Sequence, residues 1–177
     1  MIKKVYAVRD FNLPLILLDR DGTLNKDPKG YTSNISELEL TEFASKLRRL
    51  GNVHSFQIVI VSNQSGIGRG LHSVGDFFSF TEELIPSIQG ISSTVQMVLA
   101  CPHTPEMKCL CRKPHPMMLG FATKGYDLSK ACFIGDSDSD KQAAISSNIR
   151  FFDVNLSIEN RLNLWLEDVC DSKFRAT

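Results

Sequence analysis

Two aspartates separated by one residue, Asp19 and Asp21, close an apolar run and are followed by Gly22 and Thr23. On an extended or tightly turned backbone their carboxylates address one small volume, where they repel unless a cation lies between them. A hard divalent ion with oxygen ligands, Mg²⁺ being the usual one, satisfies both carboxylates and a substrate phosphate together. The same string also fits an Asx-rich turn closed by glycine. Ser62 and Asn63 follow a second apolar run, with Gly66, Gly68 and Gly70 close behind. Small residues let backbone N–H groups approach an anion, and the serine hydroxyl adds a donor. Taken alone, these residues read as readily as a glycine-rich surface loop with a capping serine. Gly135-Asp136 ends another run, with Asp138 and Asp140 after it. Asp136 is placed to complete the metal's oxygen shell, Asp140 to cap a helix through Ala143 and Ile145, and Asp138 to face solvent.

Cys101, His103, Cys109 and Cys111 form the pattern C-x-H-x5-C-x-C. Three thiols and an imidazole make a closed tetrahedral Zn²⁺ set with no vacant position for substrate, so its role is structural. Pro102, Pro105 and Lys108 mark the stretch 101–111 as loop, which suits free core cysteines badly, whereas Cys132 and Cys170 read as core. Arg112 and Lys113 come directly after the last ligand, and Pro114 opens a helix carrying Met117, Met118 and Phe121. An isolated Arg-Lys pair belongs to a solvated surface, but a metal clip beside it would point both cations at one place. His115 lacks such support and reads as surface.

These groups need elements to hold them. Short apolar runs cover Leu15 to Leu18, Gln57 to Val61, Thr94 to Ala100, Ala131 to Ile134 and Arg150 to Val154. Between them Phe43, Leu47 and Leu50 keep helical spacing, as do Phe77, Phe80, Leu84 and Ile88, and Leu162, Trp165 and Leu166. Pro86 is expected to end or kink the second of these helices. Strands alternating with helices predict an α/β fold, a Rossmann-like parallel sheet covered on both faces. In such sheets ligands bind beyond the carboxyl ends of the strands. The polar clusters fall there, after the first four runs.

In this order, Asp19-x-Asp21-Gly22-Thr23, Ser62, Lys113 and Gly135-Asp136-x-x-x-Asp140 resemble the four motifs of haloacid dehalogenase-like phosphohydrolases, over about residues 15–153. The zinc loop ending in Cys111-Arg112-Lys113-Pro114 is similar to that of the subfamily holding heptose bisphosphate phosphatases and histidinol-phosphatases, which lack a large cap domain. Ser62-Asn63-Gln64-Ser65-Gly66-Ile67-Gly68-Arg69-Gly70 resembles the heptose enzymes more closely. Three departures stand out: Ser62 in place of the more usual Thr, Ser137 where many relatives carry a cation, and no Pro-Gly between Glu42 and Gly51. The resemblance implies that Asp19 attacks phosphorus while Asp21 protonates the leaving oxygen and later activates water. It implies Mg²⁺ on Asp19, the Asp21 backbone carbonyl and Asp136, with Ser62 and Lys113 on the phosphoryl oxygens. Arg112 suits a second phosphate. Asn25, Asp27, Asn63, Gln64, Ser65 and Arg69 are the expected sugar-binding residues. The expected reaction is hydrolysis of a small sugar phosphate, with heptose 1,7-bisphosphate cleaved at C7. Histidinol phosphate is the nearest other substrate, and a catalytically silent, zinc-stabilised phosphate-binding scaffold is the reading from another class.

Composition bounds the rest. A chain of 177 residues, 42% apolar and 23% charged, is the size and balance of a single globular domain, 1–177. Twenty basic residues against 20 acidic ones leave no net charge, which argues against a nucleic-acid binder, including a zinc-containing one. No run approaches the ~20 apolar residues that cross a bilayer, and Met1 to Asp10 does not read as a signal peptide. Five clustered cysteines fit a cytoplasmic metal site better than a secreted disulfide scaffold. A cytoplasmic monomer without nucleic-acid or membrane partners is expected.

Overall fold

The computed structural model describes residues 1–27 and 30–171. Six strands form one sheet: β1 (Ile2–Val5), β2 (Leu15–Leu18), β3 (Phe56–Asn63), β4 (Ser93–Cys101), β5 (Ala131–Gly135) and β6 (Arg150–Asp153), in the order β1-β4-β3-β2-β5-β6. The neighbours from β4 to β6 pair in parallel, as the alternation of strands and helices requires. The edge strand β1 does not, because it runs antiparallel to β4, with Ile2 opposite Ala100. The expected parallel sheet thus gains an antiparallel edge strand and is mixed. Ile-Lys-Lys-Val offers almost no apolar face to read, since only its first residue packs against the core and the others are exposed.

Alternation along the strands sorts side chains to two faces. Ile16 and Leu18 join Ile58, Ile60 and Val98 beneath α1 (Glu42–Val53), α3 (Val74–Ile88) and α6 (Glu159–Asp171), through Leu47, Leu84 and Trp165. Leu15 and Leu17 join Val59, Leu99 and Phe133 on the other face, covered by α4 (Met117–Thr123) and α5 (Asp138–Ser146) through Met118, Leu119 and Ala143. A one-turn helix, α2 (Ser65–Gly68), completes the set. Pro86 does not end α3 where it stands. It lies in the final turn, where the loss of one N–H donor is tolerated, and the helix closes at Ile88. The helix expected from Pro114 begins instead at Met117, with Pro116 as its N-cap and a cis Lys113–Pro114 bond before it.

The position of β2 matters most. It lies between β3 and β5, so the chain leaves it in one direction for β3 and β4 and in the other for β5 and β6. The loops at such a reversal splay apart and leave a crevice at the strand's carboxyl end. Asp19 is the first residue beyond that end, tied to β5 by its N–H donating to the Ile134 carbonyl at 2.9 Å.

Candidate active site

The turn after β2 is compact. Gly22 N–H donates to the Asn25 carbonyl at 2.8 Å and Leu24 N–H to the Arg20 carbonyl at 2.8 Å. Gly22 sits at φ +83°, and a Cβ there would lie 2.1 Å from Asp136 Oδ2. Glycine thus allows the β2 turn to close against the end of β5 and brings Asp19 and Asp136 together. Carboxylate oxygens of Asp19, Asp136 and Asp140 lie within 4.8 Å of one another.

Lys113 is the cation of this cluster. Its ammonium is buried and donates to Asp19 Oδ1 at 2.7 Å and to the Val61 carbonyl at 2.9 Å, and it pairs with Asp140 Oδ1 at 2.6 Å. Burial works against the charged lysine, but Asp19 and Asp140 outweigh it and hold its pKa above the ordinary range. Burial, opposed by Lys113 and reinforced by Asp140 and Asp21, pushes the Asp19 carboxyl up to about 8. Burial, with Asp140 beside it, also raises Asp136. One ammonium does not neutralise three crowded carboxylates, and hard oxygen donors at this spacing fit a divalent cation such as Mg²⁺.

Asp140 does more than the expected capping. With Ser137 as N-cap it forms a capping box at the start of α5: Ser137 N–H donates to Asp140 Oδ2 at 3.2 Å and Asp140 N–H donates to Ser137 Oγ at 3.3 Å, and Ser137 Oγ also donates to Asp140 Oδ2 at 2.6 Å. Its other oxygen faces Lys113. Ser137 thus holds Asp140 in place. Asp138 is exposed, as is His115.

A cleft of about 230 Å³ opens over these groups, lined by Asp19, Asp21, Ser62, Asn63, Arg112, Lys113, Asp136, Ser137 and Ser139. Ser139 is an addition. Its signal was its place in the first turn of the helix that follows Asp136. Several expected sugar contacts lie elsewhere. Asn25 is fully buried and its amide donates to Asp21 Oδ1 at 3.0 Å. Gln64, also buried, donates to Asp21 Oδ2 at 2.6 Å and to Ser62 Oγ at 2.8 Å. Both serve Asp21 and do not line the cleft. Ser65 is buried at the start of α2, and Asp27 accepts from Thr32 N–H at 3.0 Å within its own loop. Arg69 pairs with Glu106 at 3.5 Å on the cysteine loop. Asn63 lines the cleft, yet its side chain exchanges two 3.0 Å hydrogen bonds with the Lys113 backbone, so its amide fixes the lysine.

The other cluster lies beside this cleft, at the end of β4. The thiols of Cys101, Cys109 and Cys111 are 3.5, 3.7 and 3.3 Å apart, and His103 Nδ1 is 3.6 Å from Cys101 Sγ and 3.3 Å from Cys111 Sγ. Zn–S bonds of about 2.3 Å at tetrahedral angles place sulfurs about 3.8 Å apart, so the four donors surround a space of zinc's size. Arg112 follows the last thiol, and its Nη1 donates to the His103 carbonyl at 3.4 Å.

Carboxylates of Asp19, Asp21 and Asp136 and the cations of Arg112 and Lys113 thus line one cleft, an arrangement suited to binding a phosphate ester. Residues 110–161 match the HAD-hydrolase-like family. The D-glycero-beta-D-manno-heptose-1,7-bisphosphate 7-phosphatase of Escherichia coli strain K12 is 34% identical over 148 residues, which cover 78% of this chain and 76% of that protein. The enzyme of the same name from Helicobacter pylori strain J99 is 32% identical over 138 residues, covering 76% and 79%. Among solved structures, a HAD-like phosphatase from Mesorhizobium loti superposes with a TM-score of 0.76 at 26% identity, covering 94% of this chain and 93% of that one. The D,D-heptose 1,7-bisphosphate phosphatase of B. bronchiseptica, complexed with magnesium and phosphate, shares the fold with a TM-score of 0.70 at 24% identity, covering 85% and 98%. The chain belongs to the haloacid dehalogenase-like phosphatases, in the group of the heptose bisphosphate phosphatases. It is a phosphoric monoester hydrolase, which sets aside the silent scaffold. Among the described residues no helix is long and apolar enough to cross a membrane.

Proposed function

We propose that this enzyme removes the 7-phosphate of D-glycero-D-manno-heptose 1,7-bisphosphate through an aspartyl-phosphate on Asp19. The observation that carries the reading is the convergence on one cleft of Asp19, Asp21 and Lys113 with Arg112 at the same wall. A bisphosphate needs two cationic anchors, one at the reacting phosphate and one beyond it. Lys113 supplies the first and the planar fork of Arg112 suits the second.

Lys113 fixes Asp19 through Oδ1, which leaves the other carboxylate oxygen to attack phosphorus. As the O–P bond forms, the P–O bond to the sugar breaks and Asp21 gives its proton to the leaving oxygen. Asp21, now ionised, takes a proton from water that attacks the same phosphorus, releasing phosphate and restoring Asp19. Ser62 Oγ and the Lys113 ammonium hold the phosphoryl oxygens through both steps. Asp19, the Asp21 backbone carbonyl and Asp136 would hold Mg²⁺, which supplies charge neutralisation at the phosphoryl group. Cys101, His103, Cys109 and Cys111 would hold a structural zinc that orients Arg112, and a thiol-rich zinc site belongs in the reducing cytoplasm.

Phosphate release with Mg²⁺, measured on both anomers of the heptose bisphosphate and on histidinol phosphate, tests the assignment. The highest kcat/KM is expected on a heptose bisphosphate, and preference for histidinol phosphate would overturn it.

A further inference from the structure

Arg20 sits between the two aspartates at the end of β2 and has no part in the chemistry above. It is 0% exposed. Its guanidinium lies 4.9 Å from the ring of Phe77 and 4.8 Å from that of Phe80, both on α3. Four of its five N–H donors are spent: Nε on Asp21 Oδ1 at 3.0 Å, Nη2 on Asp21 Oδ2 at 3.0 Å and on the Thr32 carbonyl at 2.9 Å, and Nη1 on Thr81 Oγ1 at 3.2 Å. The Asp21 carboxylate receives two more donors, from Asn25 and Gln64. Burying a cation among aromatic rings carries a desolvation penalty, and an apolar side chain of similar volume commonly packs such a space as well or better. Stability alone therefore gives a weak reason for this arginine.

We propose that Arg20 is a positioning residue for phosphoryl transfer: clamped by Phe77, Phe80 and Thr81, it holds the Asp21 carboxylate in one orientation at the wall of the cleft. The inference rests on the acid role given to Asp21 above. A short carboxylate on a turn has free rotation about χ1 and χ2, and proton delivery needs one geometry. A bidentate fork on a side chain that cannot itself move removes that freedom. The coupling also makes α3 part of the catalytic support, although α3 supplies no lining residue to the cleft.

The leaving group reads this role directly. A sugar alkoxide is a poor leaving group and needs a well-placed proton, whereas p-nitrophenolate leaves without one. Arg20→Met keeps an apolar stem between the rings and removes the fork. Its kcat/KM, which reports the steps through release of the alcohol, should fall by about a hundredfold on the heptose bisphosphate and by no more than about threefold on p-nitrophenyl phosphate. Arg20→Lys should recover part of the loss, and Asp21→Asn should show the same contrast more strongly. Equal losses on both substrates in Arg20→Met, with the contrast intact in Asp21→Asn, would make Arg20 a core filler and overturn the proposal. If Arg20→Met does not fold, Arg20→Lys, which keeps the charge without the fork, carries the same comparison, and equal losses there overturn it too. Absence of the contrast in Asp21→Asn would instead remove the acid role of Asp21, and the proposal with it.

Discussion

Replacing Arg112 with alanine separates a bisphosphate substrate from a monophosphate one. The guanidinium lines the cleft beside Lys113 and Asp136, and among the described residues the one hydrogen bond it makes, to the His103 carbonyl, is long at 3.4 Å. Most of its five donors remain for a ligand. A charge-assisted contact of this kind contributes about 1.5–3 kcal/mol, which is roughly ten- to a hundredfold in kcat/KM. Arg112→Ala should lose that much on the heptose bisphosphate, and Arg112→Lys should recover only part, being a point charge without a fork. On p-nitrophenyl phosphate, which has no second phosphate, turnover should hardly change. Steady-state kinetics on both substrates, with zinc content measured in each variant, make the comparison. Equal losses at equal zinc content would mean that Arg112 only packs beside the loop, and would refute the argument for a bisphosphate.

Protein purified without added metal should contain about one zinc per chain by elemental analysis. Cys109→Ser should lower that content and reduce activity by loosening Arg112 and Lys113, and metal-free native protein would end the assignment. Without a divalent ion, burial, opposed by Lys113 and helped by Asp140 and Asp21, raises the Asp19 carboxyl from 3.8 to about 8, so the native state keeps a proton that the unfolded chain has lost. The stability from this group is lost as pH rises through about 8. Mg²⁺ restores it on the deprotonated site, so the Mg²⁺-induced rise in Tm should be larger near pH 8 than near pH 6, and equal shifts would remove Asp19 as a ligand. Gly22→Ala places a Cβ 2.1 Å from Asp136 Oδ2 at a backbone φ of +83°. It should cost more than about tenfold in kcat/KM, with about 1–2 kcal/mol of backbone strain visible in denaturant unfolding. Wild-type kinetics in this variant would show that the two loops need not touch.

Much of the site was legible in the sequence because strand ends deliver their residues to one crevice. Asp19, Asp21, Ser62, Lys113 and Asp136 could each be placed by the apolar run, or the cysteine loop, that precedes them. Side chains whose work depends on distant packing were not legible. Arg20 reads as a spacer between two acids, and its burial depends on Phe77 and Phe80, some sixty residues away. Asn25 and Gln64 are polar and close to the motifs, so they read as substrate contacts; only the fold shows their amides turned to Asp21. The strand β1 escaped because an edge strand pairs through its backbone and needs little apolar patterning, and two lysines in four residues conceal it.

The central claim is a covalent intermediate on Asp19. Asp21→Asn removes the base that activates water, while p-nitrophenolate leaves without a proton, so on p-nitrophenyl phosphate the intermediate should form and accumulate; the direct measurement is rapid acid quenching of this variant with p-nitrophenyl phosphate and Mg²⁺, followed by peptide mapping by mass spectrometry. The account predicts a hydroxylamine-labile phosphoryl group on the peptide containing Asp19, absent in Asp19→Asn. Turnover that proceeds with no phosphoryl-enzyme at any quench time, or a phosphoryl group on another residue, would contradict it.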